Sequence, residues 1–273
     1  MWQTTLGKPR RLHRLAAIER SNMPRTPHTP TAPRRRWFLQ RGLAAALTAI
    51  AAVLLPLPAG AAKDEPILIQ FSHVVTAATP KGKAAQRFKE LAEARTAGRV
   101  RVEIFSDSRL YKDREELDAL KRGAVQMLAP SLSKLGALSG GDMEVFDLPF
   151  LFKDEAAFRA VTQGPVGTAL LRRLEKNGIL GLAYWENGFK VFSANRPLLL
   201  PQDVRGLKMR VQASRVLVAQ MKTLGAIASI SPLIDVYAAL RSGELDGQEN
   251  TPSNIYTQRL HSEQSHLALT RHG

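Results

Sequence analysis

The run Ile67-Leu-Ile-Gln-Phe-Ser-His73, then Thr79-Pro-Lys-Gly-Lys-Ala84, then Arg99-Val-Arg-Val-Glu-Ile-Phe105, sets the architecture. The first run is short and rich in apolar and β-branched residues, as a buried strand is. Thr79 stands at an N-cap position before Pro80, whose fixed φ suits a first helical turn. Ala84, Ala85, Phe88, Leu91 and Ala92 then recur at helical spacing until Gly98. The third run alternates polar and apolar residues, the period of a half-buried strand. Strand, helix and strand in that order predict a parallel crossover unit.

The alternation continues downstream. Asp113 to Arg122 reads as a helix stopped by Gly123, and Val125 to Ala129 as a third strand. Asp154 to Thr162 and Pro165 to Lys176 read as two helices. Gly178 to Trp185 and Phe189 to Ala194 read as strands separated by Glu186-Asn187-Gly188, and Leu207 to Gln212 as another. Ser214 caps a helix running to Leu224, Val236 to Arg241 belongs to a further helix, and Leu245 to Glu249 and His266 to Thr270 close the set as strands. The pattern is α/β with a mainly parallel sheet and no repeat of solenoid period.

Upstream, Arg34-Arg-Arg-Trp-Phe-Leu-Gln40 precedes an apolar run from Leu43 to Leu55 and then Ala59-Gly60-Ala61. A charged region, a short apolar core and a small-x-small site are the parts of a secretory signal. The core is shorter than the ~20 residues that cross a bilayer. Arg35-Arg36-Trp37-Phe38-Leu39 fits the twin-arginine variant, and Sec export is the other route. Residues 1–61 are therefore expected to be a leader, with Met23 a candidate start because the segment before it is atypical. The product after signal removal is not expected to span a membrane, since no second long apolar segment follows, and it is expected in the periplasm.

The leader also accounts for most of the charge. The chain has a formal net charge of +15, but ten of its 39 lysines and arginines and only one of its 24 acids lie in residues 1–61. The remainder, 29 bases against 23 acids, carries +6. A nucleic-acid partner would show as a Lys/Arg stripe, and Lys112-Asp113-Arg114-Glu115-Glu116 instead mixes both signs, as a solvated helix face does. No nucleic-acid partner is expected. The chain has no cysteine, which excludes disulfides and thiol chemistry.

Enzyme signatures are scarce. No G-x-G-x-x-G follows a strand, Gly82-Lys83-Ala84 lacks the rest of a phosphate loop, and no G-x-S-x-G elbow occurs. His73, His261, His266 and His272 never pair at metal-ligand spacing with carboxylates, so neither a metal nor another cofactor is expected. What stands out is a set of polar residues at strand ends and turns. These are Ser72-His73, Ser131-Leu-Ser-Lys134, Asn187-Gly-Phe-Lys190, Lys208-Met-Arg210 and Gln248-Glu-Asn250. In open α/β sheets, ligands bind beyond the carboxyl ends of strands. Arg210 lies between Met209 and Val211 inside an apolar strand, where a cation is costly unless an internal acid or an anionic ligand meets it. The pattern leaves both open.

Phe71-Ser-His-Val, Thr79-Pro-Lys-Gly-Lys-Ala84, Leu128-Ala-Pro-Ser-Leu-Ser-Lys134, Phe146-Asp-Leu-Pro149, Gly206-Leu-Lys-Met-Arg210, Leu245-Asp-Gly-Gln-Glu-Asn250 and Pro252-Ser-Asn-Ile-Tyr-Thr-Gln258 together resemble the substrate-binding proteins of TRAP transporters, in their C4-dicarboxylate (DctP-type) branch. The resemblance runs from about Pro66 to Gly273. It implies a two-lobed, hinge-bending periplasmic-binding-protein fold of type II-like form, without catalysis, that hands a small carboxylate to the small and large membrane subunits of a permease. Lobe I would span 62–187 and lobe II 188–273. The family's carboxylate-gripping arginine falls on Arg210, its second cationic contact on Lys190 and the asparagine of its D-G-x-E-N motif on Asn250; His73 and Ser131 fall on polar ligand-facing positions. Two cations in one cleft would favour a dianion.

Two departures bear on this. Leu233-Ile234-Asp235 stands where such proteins usually carry Phe-Ser-Glu, which affects ligand identity, and the sequence stops at Arg271-His272-Gly273 where the family continues. The stop gives the expectation of an incomplete fold whose first lobe lacks its returning strand and helix. Two other classes fit the residues: an exported α/β enzyme acting on an organic acid, and a non-functional fragment of a disrupted binding-protein gene.

Overall fold

A computed structural model describes residues 65–273; the leader, its export signal and the candidate start at Met23 lie outside the described residues. The first crossover unit forms as its residues dictate. Strand β1 (Ile67–Ser72) leads to helix α1 (Pro80–Arg95), and β2 (Val100–Phe105) returns parallel to β1. Thr79 Oγ1 accepts from the Gly82 amide at 2.9 Å, which satisfies one of the first-turn N–H groups. Gly82 is required there, because a Cβ would lie 2.5 Å from the Ala77 carbonyl oxygen. Helix α2 (Glu115–Lys121) then precedes β3 (Met127–Leu128), which pairs with the other edge of β1, giving a parallel sheet of order β2-β1-β3.

Three 3-10 turns follow, Leu132–Leu135, Ala137–Ser139 and Asp142–Asp147, then helices α3 (Glu155–Thr162) and α4 (Pro165–Arg173). Asp154 Oδ1 caps α3 through the Ala157 amide at 2.8 Å, and Pro165 opens α4. The second sheet is built from β4 (Val191–Ala194), β5 (Lys208–Val211), β6 (Ile227–Ile230), β7 (Gly247–Asn250) and β8 (His266–Ala268), in the order β6-β5-β7-β4-β8. β5 is parallel to β6 and β7, whereas β4 runs antiparallel to β7 and β8. Helices α5 (Arg215–Thr223), α6 (Leu233–Ser242) and α7 (Pro252–Thr257) complete the unit. At Gly247 the strands come so close that a Cβ would sit 2.5 Å from the Ser193 carbonyl oxygen and 2.7 Å from Met209 Sδ.

Three expectations change. The strand read over Gly178 to Trp185 does not form. Residues 180–189 run without a backbone–backbone hydrogen bond to any described residue, and Leu180 and Leu182 are exposed. The residues have strand composition; what they lack is a neighbouring strand. Strand β3 contracts to two residues for the same reason of pairing, and β6, carrying Ile227-Ala-Ser-Ile230, is an edge strand of four residues that the expected set did not include.

Apolar burial joins the two sheets. Val74 and Val75, just after β1, pack into one cluster with Val191 of β4, Val236 and Leu240 of α6, Leu245, Ile255 and Leu260. Full burial of such side chains is worth ~1.5–3 kcal/mol each against leaving them exposed. Phe192, Met209, Val211, Leu217 and Met221 form a second core beneath α5, and Met143, Phe146, Leu170 and Leu174 a third beneath α3 and α4.

His272 docks on this framework. Its ring stacks on Phe192 at 4.1 Å and 15°, and Thr270 Oγ1 lies 2.7 Å from its Nδ1. Burial, aided by the charge of Lys190, pulls its pKa from 6.5 to about 4. A histidine that must stay neutral when folded takes up a proton more readily when unfolded. Its contribution is therefore complete above pH 6.5 and is lost as pH falls toward about 4, with a limit of about 3 kcal/mol. His272→Phe, which keeps the stack, is expected to flatten the fall in melting temperature between pH 7 and pH 4.5. An unchanged slope in thermal melts would contradict this.

Candidate functional site

Buried charge collects where the two sheets meet, and how it pairs decides which groups remain available. Arg210 on β5 is 1 % exposed. Its Nε donates to the Ser231 carbonyl at 3.0 Å, and among the described residues neither terminal guanidinium nitrogen has a protein hydrogen bond and no acid stands at ion-pair distance. Burial pulls its pKa down, while Glu249 and Asp113, near enough for their charge to act, work the other way. The internal-acid explanation of Arg210 thus lacks a direct partner. A fixed, half-used guanidinium fork is suited to a planar carboxylate.

Lys190 is differently placed. It precedes β4, and its Nζ lies 3.1 Å from both Asp147 and Glu249. Burial disfavours its charge, but the two carboxylates outweigh burial and leave its pKa raised. Asn250 ends β7 and uses its Oδ1 locally, accepting from the Thr251 amide at 3.0 Å and from Asn254 Nδ2 at 2.9 Å. Ser131 Oγ donates to Gln212 Oε1 at 2.9 Å, bridging the loop after β3 to the end of β5. His73, at the end of β1, is fully buried with both ring nitrogens lacking a partner. Burial lowers its pKa, as do Lys81 and Arg109, against opposing effects of the Val75 backbone and Asp107. Arg210 and Lys190 are brought near one another through Glu249, whose charge acts on both. His73 and Ser131 come from the other sheet.

The helix face read as solvated is so only in part: Lys112, Arg114 and Glu115 are exposed, but the two other acids are not. Asp113 and Glu116 are buried and share Lys134, at 2.6 and 2.7 Å. Asp113 Oδ2 also accepts the Leu233 amide at 2.7 Å, tying the first sheet's unit to the start of α6. Burial pushes the Asp113 carboxyl up, but Lys134, the Leu233 amide and Arg210 hold it below the usual range; burial leaves Glu116 raised. The partner Lys134 lies 18 residues beyond Glu116, so no local pattern could show the pairing. A second tie runs from Glu144 to Arg215, with Oε1 on the Arg215 amide at 2.8 Å and Oε2 on its Nε at 2.7 Å.

A cavity of about 800 Å³ opens beside these groups, its polar lining including Lys81, Ser131, Ser133, Asp147, Lys190 and Thr251. Arg210, His73 and Asn250 lie outside that lining. Most of the cavity is apolar and far larger than a small acid needs, so the buried polar junction, rather than the cavity, has the character of a recognition site. Among the described residues no group of three or more His, Asp or Glu could hold a metal ion.

Residues 71–273 match the family model "Bacterial extracellular solute-binding protein, family 7" (DctP). The chain belongs to this family. A C4-dicarboxylate-binding periplasmic protein DctP of Rhodobacter capsulatus is 53% identical over 86% of the chain and 71% of its own length. Its counterpart in Shewanella loihica is 44% identical over 83% and 67%, and the Bacillus subtilis C4-dicarboxylate-binding protein DctB is 41% identical over 77% of the chain and 60% of its length. Among solved structures, a TRAP periplasmic solute-binding protein of Shewanella oneidensis with bound succinate superposes with a TM-score of 0.74 at 48% identity, covering 76% of this chain and 68% of its own. One from Pseudomonas aeruginosa with bound L-malate gives 0.74 at 46%, covering 76% and 72%. The fold of this DctP-family chain is thus that of the TRAP periplasmic binding proteins, as its motifs implied. No helix among the described residues is long and apolar enough to cross a membrane.

Proposed function

We propose that this chain captures a C4-dicarboxylate, or a closely related organic acid, between lobes 62–187 and 188–273 and presents it in the periplasm to the small and large membrane subunits of a TRAP permease, with no chemical conversion. The observation that carries this is the buried Arg210 fork, which among the described residues is held through Nε alone. Asn250, His73 and Ser131 would supply directional polar groups to the same ligand. Lys190 fixes the local field through Asp147 and Glu249. The succinate and malate found with similar proteins support the ligand class.

The test is a thermal melt of the chain with succinate, L-malate or fumarate, paired with NMR of the acid over time. A ligand at 100 times its Kd stabilises by about 2.7 kcal/mol, so a concentration-dependent rise in Tm with no loss of the acid is expected. No shift with any of the three acids would refute the ligand class. Consumption of an acid would favour an exported enzyme instead.

A further inference from the structure

The junction brings together four cations, of which Arg210 is buried and Lys81, Lys134 and Lys190 are partly so, and four buried acids, Asp113, Glu116, Asp147 and Glu249. Lys134 is paired with Asp113 and Glu116, and Lys190 with Asp147 and Glu249. Two cations of the set are left without a carboxylate at ion-pair distance, Arg210 and Lys81. Lys81 Nζ donates to the Ala129 carbonyl at 2.9 Å, which leaves the other two hydrogens of its ammonium unassigned among the described residues.

Its position makes an unpaired charge harder to sustain. Lys81 sits in the first turn of α1, which has no acid there, so the positive end of the helix dipole opposes it. Burial and the charge of Lys134 bring its pKa down to about 8, which still leaves it protonated at pH 7. The loop just before it holds further unsatisfied groups: Ser72 Oγ, both His73 ring nitrogens and Thr76 Oγ1 are buried without hydrogen-bond partners. Lys81 also borders the cavity together with Ser131. A half-buried ammonium with no carboxylate at ion-pair distance among the described residues, beside idle polar atoms near the carboxyl end of a strand, is what an anionic group would complete.

We propose that Lys81 is the second cation of the ligand site, meeting the distal carboxylate of a dianion whose first carboxylate is held by Arg210. This rests on the dicarboxylate function proposed above and assigns the two-charge preference to Lys81 in place of Lys190, whose charge its two acids already balance. Lys81 would then set specificity for diacids over monoacids of the same length.

Succinate and its monoamide, succinamate, isolate the distal charge, and calorimetry on the whole chain and on Lys81→Met and Lys81→Arg measures it. Wild type should prefer succinate by about 100-fold, within the range expected when one side of a buried charge pair is removed. Lys81→Met should lose most of that preference while binding succinamate nearly as before, and Lys81→Arg should recover part of it. The ligand-free Tm of Lys81→Met should change little, because the desolvation of its charge offsets its attraction to Glu116 and Asp113 and no ion pair among the described residues is broken. A folded Lys81→Met that keeps the wild-type preference, or a wild type with no preference, overturns the assignment and leaves the dicarboxylate function standing. A wild type that binds neither succinate nor any other diacid overturns both.

Discussion

Arg210→Ala is expected to weaken succinate binding by at least about 100-fold, to below detection in most calorimetric settings, while the ligand-free Tm stays within a few degrees of wild type. The two halves have one cause. The guanidinium contributes a hydrogen bond to Ser231 and, among the described residues, no direct ion pair, so the folded state loses little without it. Its terminal nitrogens are what a carboxylate would engage, and removing one side of a buried charged contact commonly costs ~2–5 kcal/mol. Arg210→Lys should also bind poorly, because an ammonium cannot reproduce the planar fork. A Kd for the alanine variant within a factor of about three of wild type would remove Arg210 from the site.

Lys190→Met should behave in the opposite manner, failing in stability before it fails in recognition. Its ammonium lies between Asp147 and Glu249, which are 3 % and 1 % exposed at their side chains. Breaking a buried pair by deleting one partner is destabilising by ~3–5 kcal/mol, because the other charge is left uncompensated. At ~2–4 °C per kcal/mol for a domain of this size, Tm should drop by about 10 °C. Replacing Glu249 by Gln in the same variant should recover part of the loss. A drop under 2 °C for Lys190→Met would mean that the two acids find other partners or protonate without strain.

The contrast between these residues marks how far the sequence could be read. Arg210 was legible because a cation flanked by Met209 and Val211 in a strand breaks the local pattern. Helices α1 and α5 were legible because caps at Thr79 and Ser214 act on their own first turns. Asp113 and Glu116 were not, since a charged helix face looks solvated until a lysine from a distant turn reaches it. The double pairing of Lys190 was hidden for the same reason, as Asp147 and Glu249 lie far from it in sequence. Lys81 stood in a quoted motif without a role because its significance lies in what fails to pair with it. Strand signals failed where partners, rather than composition, decide the outcome, as in residues 180–189.

That unpaired stretch has a consequence for how the molecule ages in solution. Residues 180–189 leave their backbone groups without backbone partners among the described residues, with Leu180 at 68 % and Leu182 at 66 % exposure. Amides held by no hydrogen bond exchange with solvent without any opening event. A stretch of unpaired backbone with exposed apolar side chains is also open to a protease cleft and to the edge of another chain's sheet. Among the described residues this segment is therefore a place where nicking and chain-to-chain stacking would begin in storage while both sheets remained intact.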